Sequence, residues 1–277
     1  MKPTSLRDHH QAPRFWRDAA LPFIEARSIA DGRKVCYSRH AHEHFSIGAI
    51  TAGHSTYISG NQQWQIAQGT VVLMNPGIVH ACNPIDDQPW SYCMFYIDTA
   101  WLTALQHELG FNAGSGFCDF NATHSQDPTL YAELNALYAL LIDEQAALLE
   151  KHSAIVAFFT QLHLRLNPAP TPSRPINHKL EQAAAHIREH CTEGLRLDEI
   201  CQAAGLSPSY LIRAFKQHYG MTPHVYLVNQ RIQYAQQQLR QGRLIADVAL
   251  LAGFADQAHL QRAFKQHLAA TPGQYQG

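Results

Sequence analysis

The chain has 277 residues, 46% of them apolar and 16% charged, which suits two domains with hydrophobic cores and excludes a largely disordered polymer. The first 20 residues hold no long apolar run and nothing later approaches the ~20 apolar residues of a membrane span, so the sequence reads as a cytoplasmic protein without a membrane partner. Net charge is −1 but unevenly spread: eleven Lys and Arg face 15 Asp and Glu before residue 177, against ten and seven after it, which makes the C-terminal part the place to look for phosphate contacts.

From about Pro22 to Asp98, short apolar or aromatic runs such as Val71–Met74 and Tyr92–Ile97 alternate with glycines (Gly32, Gly53, Gly60, Gly69, Gly77). Many short strands with frequent turns predict a sandwich or small barrel. Within this stretch His40, His42 and His44 alternate, and His80 closes the run that starts at Gly69. In an extended strand alternate side chains share a face, and another element of the barrel can bring His80 beside them. Three or four imidazoles on one wall make a ligand set for zinc, iron or nickel. The same residues also suit the polar lining of an organic-effector pocket, or plain structural positions. Tyr37, Phe45, Tyr57, Trp64, Trp90 and Tyr92 are expected to wall such a pocket or to fill the barrel core. The candidate effector-binding set is therefore His40, His42, His44, Tyr57, His80 and Tyr92. The six cysteines (Cys36, Cys82, Cys93, Cys118, Cys191, Cys201) show no paired spacing and read as reduced thiols, with a redox pair as the alternative.

Helical periodicity takes over after Asp98. Leu130, Leu134, Leu137, Tyr138, Leu141 and Ile142 form one stripe, and Leu148, Ile155, Phe158, Phe159 and Leu162 a second. These helices suit packing on the barrel or on a second copy of the chain, as in a homodimer. Residues 167–177 contain four prolines, a stiff extended linker. The predicted division is a domain over 1–166, the linker, and an all-α domain over 178–277.

An internal repeat dominates that last segment. At an offset of 49, Leu211/Leu260, Arg213/Arg262, Phe215/Phe264, Lys216/Lys265, Gln217/Gln266, His218/His267, Thr222/Thr271, Pro223/Pro272 and Tyr226/Tyr275 are identical. Each copy follows a short amphipathic helix (Leu197–Ala204, Leu244–Ala252), a glycine turn (Gly205, Gly253) and an N-cap candidate (Ser207, Asp256). Short helix, turn and capped second helix make a helix-turn-helix, at about 197–219 and again at about 244–268. In each second helix Leu211, Ala214 and Phe215 can fill a core. Ser209, Ile212, Arg213 and Lys216 fall on another face, matched by Ala258, Gln261, Arg262 and Lys265. Arginine can bind guanine and glutamine adenine in a major groove, while lysines suit phosphates. The plain alternative is a solvated charged face.

The stretch Pro175–Gln276, with both motifs, the connecting helix Pro223–Gln241 and the segment Ile245–Phe254, resembles the DNA-binding domain of the AraC/XylS family of bacterial regulators. The resemblance implies base contacts at Ser209, Ile212 and Arg213, then Gln257, Ala258, Gln261 and Arg262; Ile212 departs from the polar residue often found there. Residues 20–100 resemble the two cupin motifs and, more closely, the sensor domain of the same family, whose pocket usually receives an organic effector. Metal-binding cupins usually add a glutamate after the HxH pair, and residues 45–52 contain no carboxylate. The expected protein is thus a non-enzymatic regulator with a cupin-like β-barrel carrying two or more helices and a C-terminal domain with two helix-turn-helix motifs. Its expected partners are double-stranded DNA, a small-molecule effector, RNA polymerase if it activates, and a second copy. No cofactor is expected beyond a metal ion at His40, His42, His44 and His80, the set on which the alternative reading, a metal-binding cupin enzyme fused to a DNA-binding domain, rests.

Overall fold

The computed structural model describes residues 13–33, 36–111, 116–166 and 177–276; the proline-rich linker expected at 167–177 lies, except for Asn177, outside the described residues. Among the described residues nine strands form two sheets, with every pairing antiparallel. The larger holds β1 (Arg14–Trp16), β2 (Ile24–Ile29), β3 (Phe45–Ala52), β6 (Val71–Met74), β8 (Ser91–Ile97) and β9 (His124–Ser125), in the order β1-β2-β8-β3-β6-β9. The smaller holds β4 (His54–Ser59), β5 (Gln62–Ala67) and β7 (His80–Pro84), in the order β5-β4-β7. Strands β1 and β9 lie outside the Pro22–Asp98 range, because edge strands of three and two residues are too short to show a period of two.

The apolar runs of the large sheet are continuous because both of its faces are covered. Phe45, Ile47, Ala49, Val71, Leu73, Cys93, Phe95 and Ile97 face α1 (Thr99–Glu108), α2 (Pro128–Ile142) and α3 (Leu148–Leu166), which supply Leu102, Leu134, Ile155 and Phe159 to one core. The alternate residues Ile50, Val72, Met74, Tyr92 and Met94 face Tyr57, Ile66, Ala81 and Cys82 of the small sheet in a second core. Helices α2 and α3 thus bury their stripes within the subunit. Ile142 and Leu148, at the facing ends of α2 and α3, are left about half exposed, which corrects the outer limits of both stripes. Burial pushes the Cys82 thiol up to about 12 and the Cys93 thiol to about 11, so these thiols stay protonated and unreactive.

The C-terminal domain comprises α4 (His178–Glu189), α5 (Leu197–Ala204), α6 (Pro208–Tyr219), α7 (Pro223–Arg240), α8 (Ile245–Leu251), α9 (Gln257–Leu268) and α10 (Pro272–Gln276). Helix α7 belongs to two cores. Its Tyr226 and Leu227 pack with Leu211 and Phe215 of α6, and its Ile232 and Leu239 with Leu260 and Phe264 of α9. One helix shared between two cores fixes the mutual orientation of α6 and α9. Asp256 caps α9 through a bond from the His259 N–H at 2.6 Å, whereas Ser207 occupies the N-cap of α6 without a side-chain bond.

The two turn glycines carry unequal burdens. Both take positive φ, 60° at Gly205 and 77° at Gly253. A Cβ at Gly205 would meet only Lys179 Nζ at 3.9 Å, but at Gly253 it would lie 2.7 Å from the Thr192 carbonyl oxygen. Gly205→Ala should cost about 1–2 kcal/mol, the left-handed penalty alone, whereas Gly253→Ala should cost clearly more because backbone must move. Chemical denaturation of the two variants checks this; equal losses would contradict it.

Candidate functional site

The second helices of the two motifs present matching faces. Leu211 and Phe215 in α6, and Leu260, Ala263 and Phe264 in α9, are buried. Ser209, Ile212, Arg213 and Lys216 on α6 are all exposed, as are Gln257, Ala258, Gln261, Arg262 and Lys265 on α9. Among the described residues, none of Arg213, Lys216, Arg262 or Lys265 takes part in an ion pair. Four cations on two helices are thus free to meet an external anion. Tyr210, exposed on the α6 face, was not in the candidate set; the Arg213 guanidinium lies 5.9 Å from its ring centre. The repeat hid it, since the equivalent His259 turns its ring toward Phe254 instead.

The histidines gather at one end of the barrel. A bridge pairs His40 with His80 through reciprocal backbone bonds, His40 N–H to His80 O at 3.1 Å and His80 N–H to His40 O at 2.9 Å. Ring centres of His80 lie 4.4 Å from His40 and 4.7 Å from His42, and one nitrogen from each of the three falls within 4.8 Å of the others. His44 does not join them, which corrects its place among the candidate metal ligands, but it does line a cleft beside His40 and His42. Regular pleating begins only at Phe45, so the alternation of sides assumed for 40, 42 and 44 does not hold there. His44 faces Arg240 and Asp98 instead.

Each of the three rings is oriented by its own backbone. Nδ1 of His40 lies 2.8 Å from Ser38 O, that of His42 2.8 Å from His44 O, and that of His80 2.9 Å from Ile78 O. A carbonyl only accepts, so Nδ1 carries the proton and the neutral ring keeps its lone pair on Nε2. Burial holds the rings neutral, lowering His40 to about 4 and His42 to about 3, and His80 well below its usual value.

This cluster separates two small spaces. On the barrel side, about 30 Å³ is lined by Tyr37, Trp90, Tyr92, Met94 and Tyr96, room for one or two waters. Tyr92 is therefore placed as expected, its hydroxyl bonded to that of Tyr37. Tyr57 is not: it is fully buried, donates to Leu73 O at 2.7 Å and stacks on Trp64, a core residue away from the cavity. Phe45 likewise faces the helices. On the other side, a cleft of about 90 Å³ is closed by the C-terminal domain: Asn229, Gln233, Gln237 and Arg240 of α7 and His267 of α9 face Arg27, His40, His42 and Tyr96.

The histidine-bearing segment is itself the contact between domains. The Ala41 carbonyl, between His40 and His42, accepts from Asn229 Nδ2 at 2.8 Å and Gln233 Nε2 at 3.0 Å. Ser38 N–H donates to Gln266 O at 2.9 Å. Buried Glu25 on β2 accepts from Arg17 at 2.6 Å and from Arg240 of α7 at 2.8 Å. Arg27 is 1% exposed, donates to the Tyr37 hydroxyl at 2.6 Å, and leaves Nε without a partner. Sequence reading missed Arg27, Asn229, Gln233 and His267, because nothing local marks a residue whose role arises only when two domains meet.

The model of the AraC-like ligand binding domain matches residues 23–166, and that of a helix-turn-helix domain matches 200–277. The chain is 27% identical to an uncharacterised HTH-type transcriptional regulator, YbfI of Bacillus subtilis, over 81% of each chain. It is 25% identical to the HTH-type transcriptional activator RhaR of Klebsiella pneumoniae, over 86% of this chain and 87% of that one. Among solved structures it resembles ToxT of Vibrio cholerae O395 in fold, with TM-score 0.56, 12% identity, and 96% and 97% of the chains covered. Another ToxT structure of this fold has an unsaturated fatty acid bound.

Proposed function

This chain belongs to the AraC family of transcriptional regulators, with an N-terminal ligand-binding domain and a DNA-binding helix-turn-helix domain, and from that premise we propose that occupancy of its interdomain cleft controls how the two reading helices meet DNA. The observation that carries this reading is the pair of hydrogen bonds that Asn229 and Gln233 of α7 donate to the Ala41 carbonyl, between two histidines of the cleft. A ligand that moves His40 or His42 pulls on the helix that orients both readers. Control requires only that the ligand favour one docking arrangement over another. The histidines serve sensing in this reading, not turnover. ToxT takes a fatty acid; here the free volume is small, so an organic effector of that size would need the cleft to open. We further propose that Leu149, Val156 and Leu164, which lie exposed along α3, form the face on which two copies pair.

Two readers on one rigid α7 should enter successive major-groove segments on one side of the duplex, about 10 bp apart. A hydroxyl-radical footprint of the full chain should therefore show two protected segments per subunit in an asymmetric site. Protection of a single groove segment per subunit would contradict the two-reader arrangement.

A further inference from the structure

One histidine that faces the barrel's cluster comes from the DNA-binding domain. His267, in the last turn of α9, is 5% exposed. Its Nδ1 lies 2.8 Å from Ala263 O, so its lone pair sits on Nε2, and that atom is buried without any partner. Its ring centre is 6.4 Å from that of His40. The repeat sharpens the contrast: His218, the same position in the first motif, points at Glu181 from 3.9 Å. Identical residues thus serve different surroundings, and the second faces the barrel's histidines.

We propose that Nε2 of His40, His42 and His80, with Nε2 of His267 as the fourth ligand, bind one divalent transition-metal ion of the zinc class and so clasp the sensor domain to the DNA-binding domain. Four neutral imidazoles suit such an ion, and each Nδ1–H donates to a backbone carbonyl, the outer-shell bond that orients a metal-binding ring. A metal bonded at 2.0–2.1 Å puts imidazole centres about 5 Å apart; the three barrel rings, at 4.4, 4.7 and 6.1 Å, are close to that, while His267, 6.4 Å from His40, has to close in by more than an ångström on binding. Among the described residues the three histidines make up the cluster by themselves, with no carboxylate in it; His267, whose Nε2 is buried and unpartnered, faces it from the other domain and must move inward to complete the set. Arg27, whose charge reaches His40, opposes a cation there, and Glu25 nearby offsets it in part. The backbone transmits the event: Ala41 lies between two ligands and is held by α7, and Gln266, next to His267, accepts from Ser38. A bound ion would tie these contacts together and favour the docked arrangement.

The inference rests on the reading of the cleft as the sensing site, but its test uses no DNA, so the two can fail separately. The chelator-stripped full chain is titrated with Co²⁺, followed by visible absorption, and the bound Co²⁺ is then displaced with Zn²⁺. The expected result is one ion per chain with the intense band of a four-coordinate site. His80→Ala and His42→Ala should weaken binding at least about 100-fold. His267→Gln should weaken it about tenfold or more and reduce the band as a water replaces the ring. His218→Gln should bind as wild type does. Circular dichroism reports folding, and if His80→Ala does not fold, half-buried His42 supplies the decisive variant. Absence of a stoichiometric ion would overturn the site, and a His267→Gln variant with wild-type affinity and spectrum would overturn the clasp.

Discussion

Arg213→Ala and Arg262→Ala are each expected to weaken binding to the specific site by about 1–3 kcal/mol, the worth of one bidentate contact to a base. Because α6 and α9, the two proposed readers, pack in separate cores, the two losses should add, to about 2–6 kcal/mol in the double variant. The protein should tolerate the changes: both side chains are exposed and neither holds an ion pair. Each single variant should also relax sequence preference in one half of the site only. Lys216→Ala and Lys265→Ala should behave differently if they meet phosphate, weakening all sequences alike and flattening the salt dependence by about one unit of slope each. Titrations against the specific site and a scrambled duplex at two salt concentrations separate the two patterns. A double arginine variant that binds the site as tightly as wild type would rule out base reading through these helices.

The exposed faces proposed to read DNA were legible in the sequence because they are local. Helical spacing alone separates Arg213 and Lys216 from Leu211 and Phe215, and the second copy repeats the division at Arg262 and Phe264. The barrel was legible as a class for a similar reason, since its strands are short and bounded by turns. The histidine wall was only partly legible. His40, His42 and His80 do meet, but the period-two argument that added His44 assumed a pleated strand where the chain instead bridges to β7 and turns. Tyr57 failed for another reason: it points into the same space between the sheets as Tyr92 and Met94, but its ring stacks on Trp64 and fills that space, and aromatic character does not say where a barrel's interior stays open. His267 was in plain view as half of the pair His218/His267, yet its environment depends on how one domain sits against the other, which no local pattern encodes.

Glu25→Ala is expected to be the most disruptive change at the domain contact. The carboxylate is 7% exposed and serves Arg17 and Arg240 together, with Arg27 close enough to feel its charge. Its removal leaves three guanidinium groups near one another and one of them, Arg27, fully buried. Deleting one partner of a buried pair costs about 3–5 kcal/mol; because Arg17 and Arg240 keep 30% and 40% of their side-chain exposure, about 2–4 kcal/mol is the better expectation. The exposed pair Arg165–Glu133 on α3 and α2 supplies the contrast: Glu133→Ala should cost no more than about 1 kcal/mol. Urea unfolding of both variants measures the difference. The functional consequence follows from where the strain falls. Arg240 is the last residue of α7, so loss of its carboxylate partner frees one end of the helix that orients both readers, while Asn229 and Gln233 still hold the other part to Ala41. DNA affinity should then survive while its dependence on whatever fills the cleft weakens, because losing one of the contacts that hold α7 to the barrel reduces the preference for one docking arrangement that a ligand can act on. A Glu25→Ala protein with wild-type stability, or with an undiminished response to a cleft ligand, would show that this ion pair is not the link between the domains.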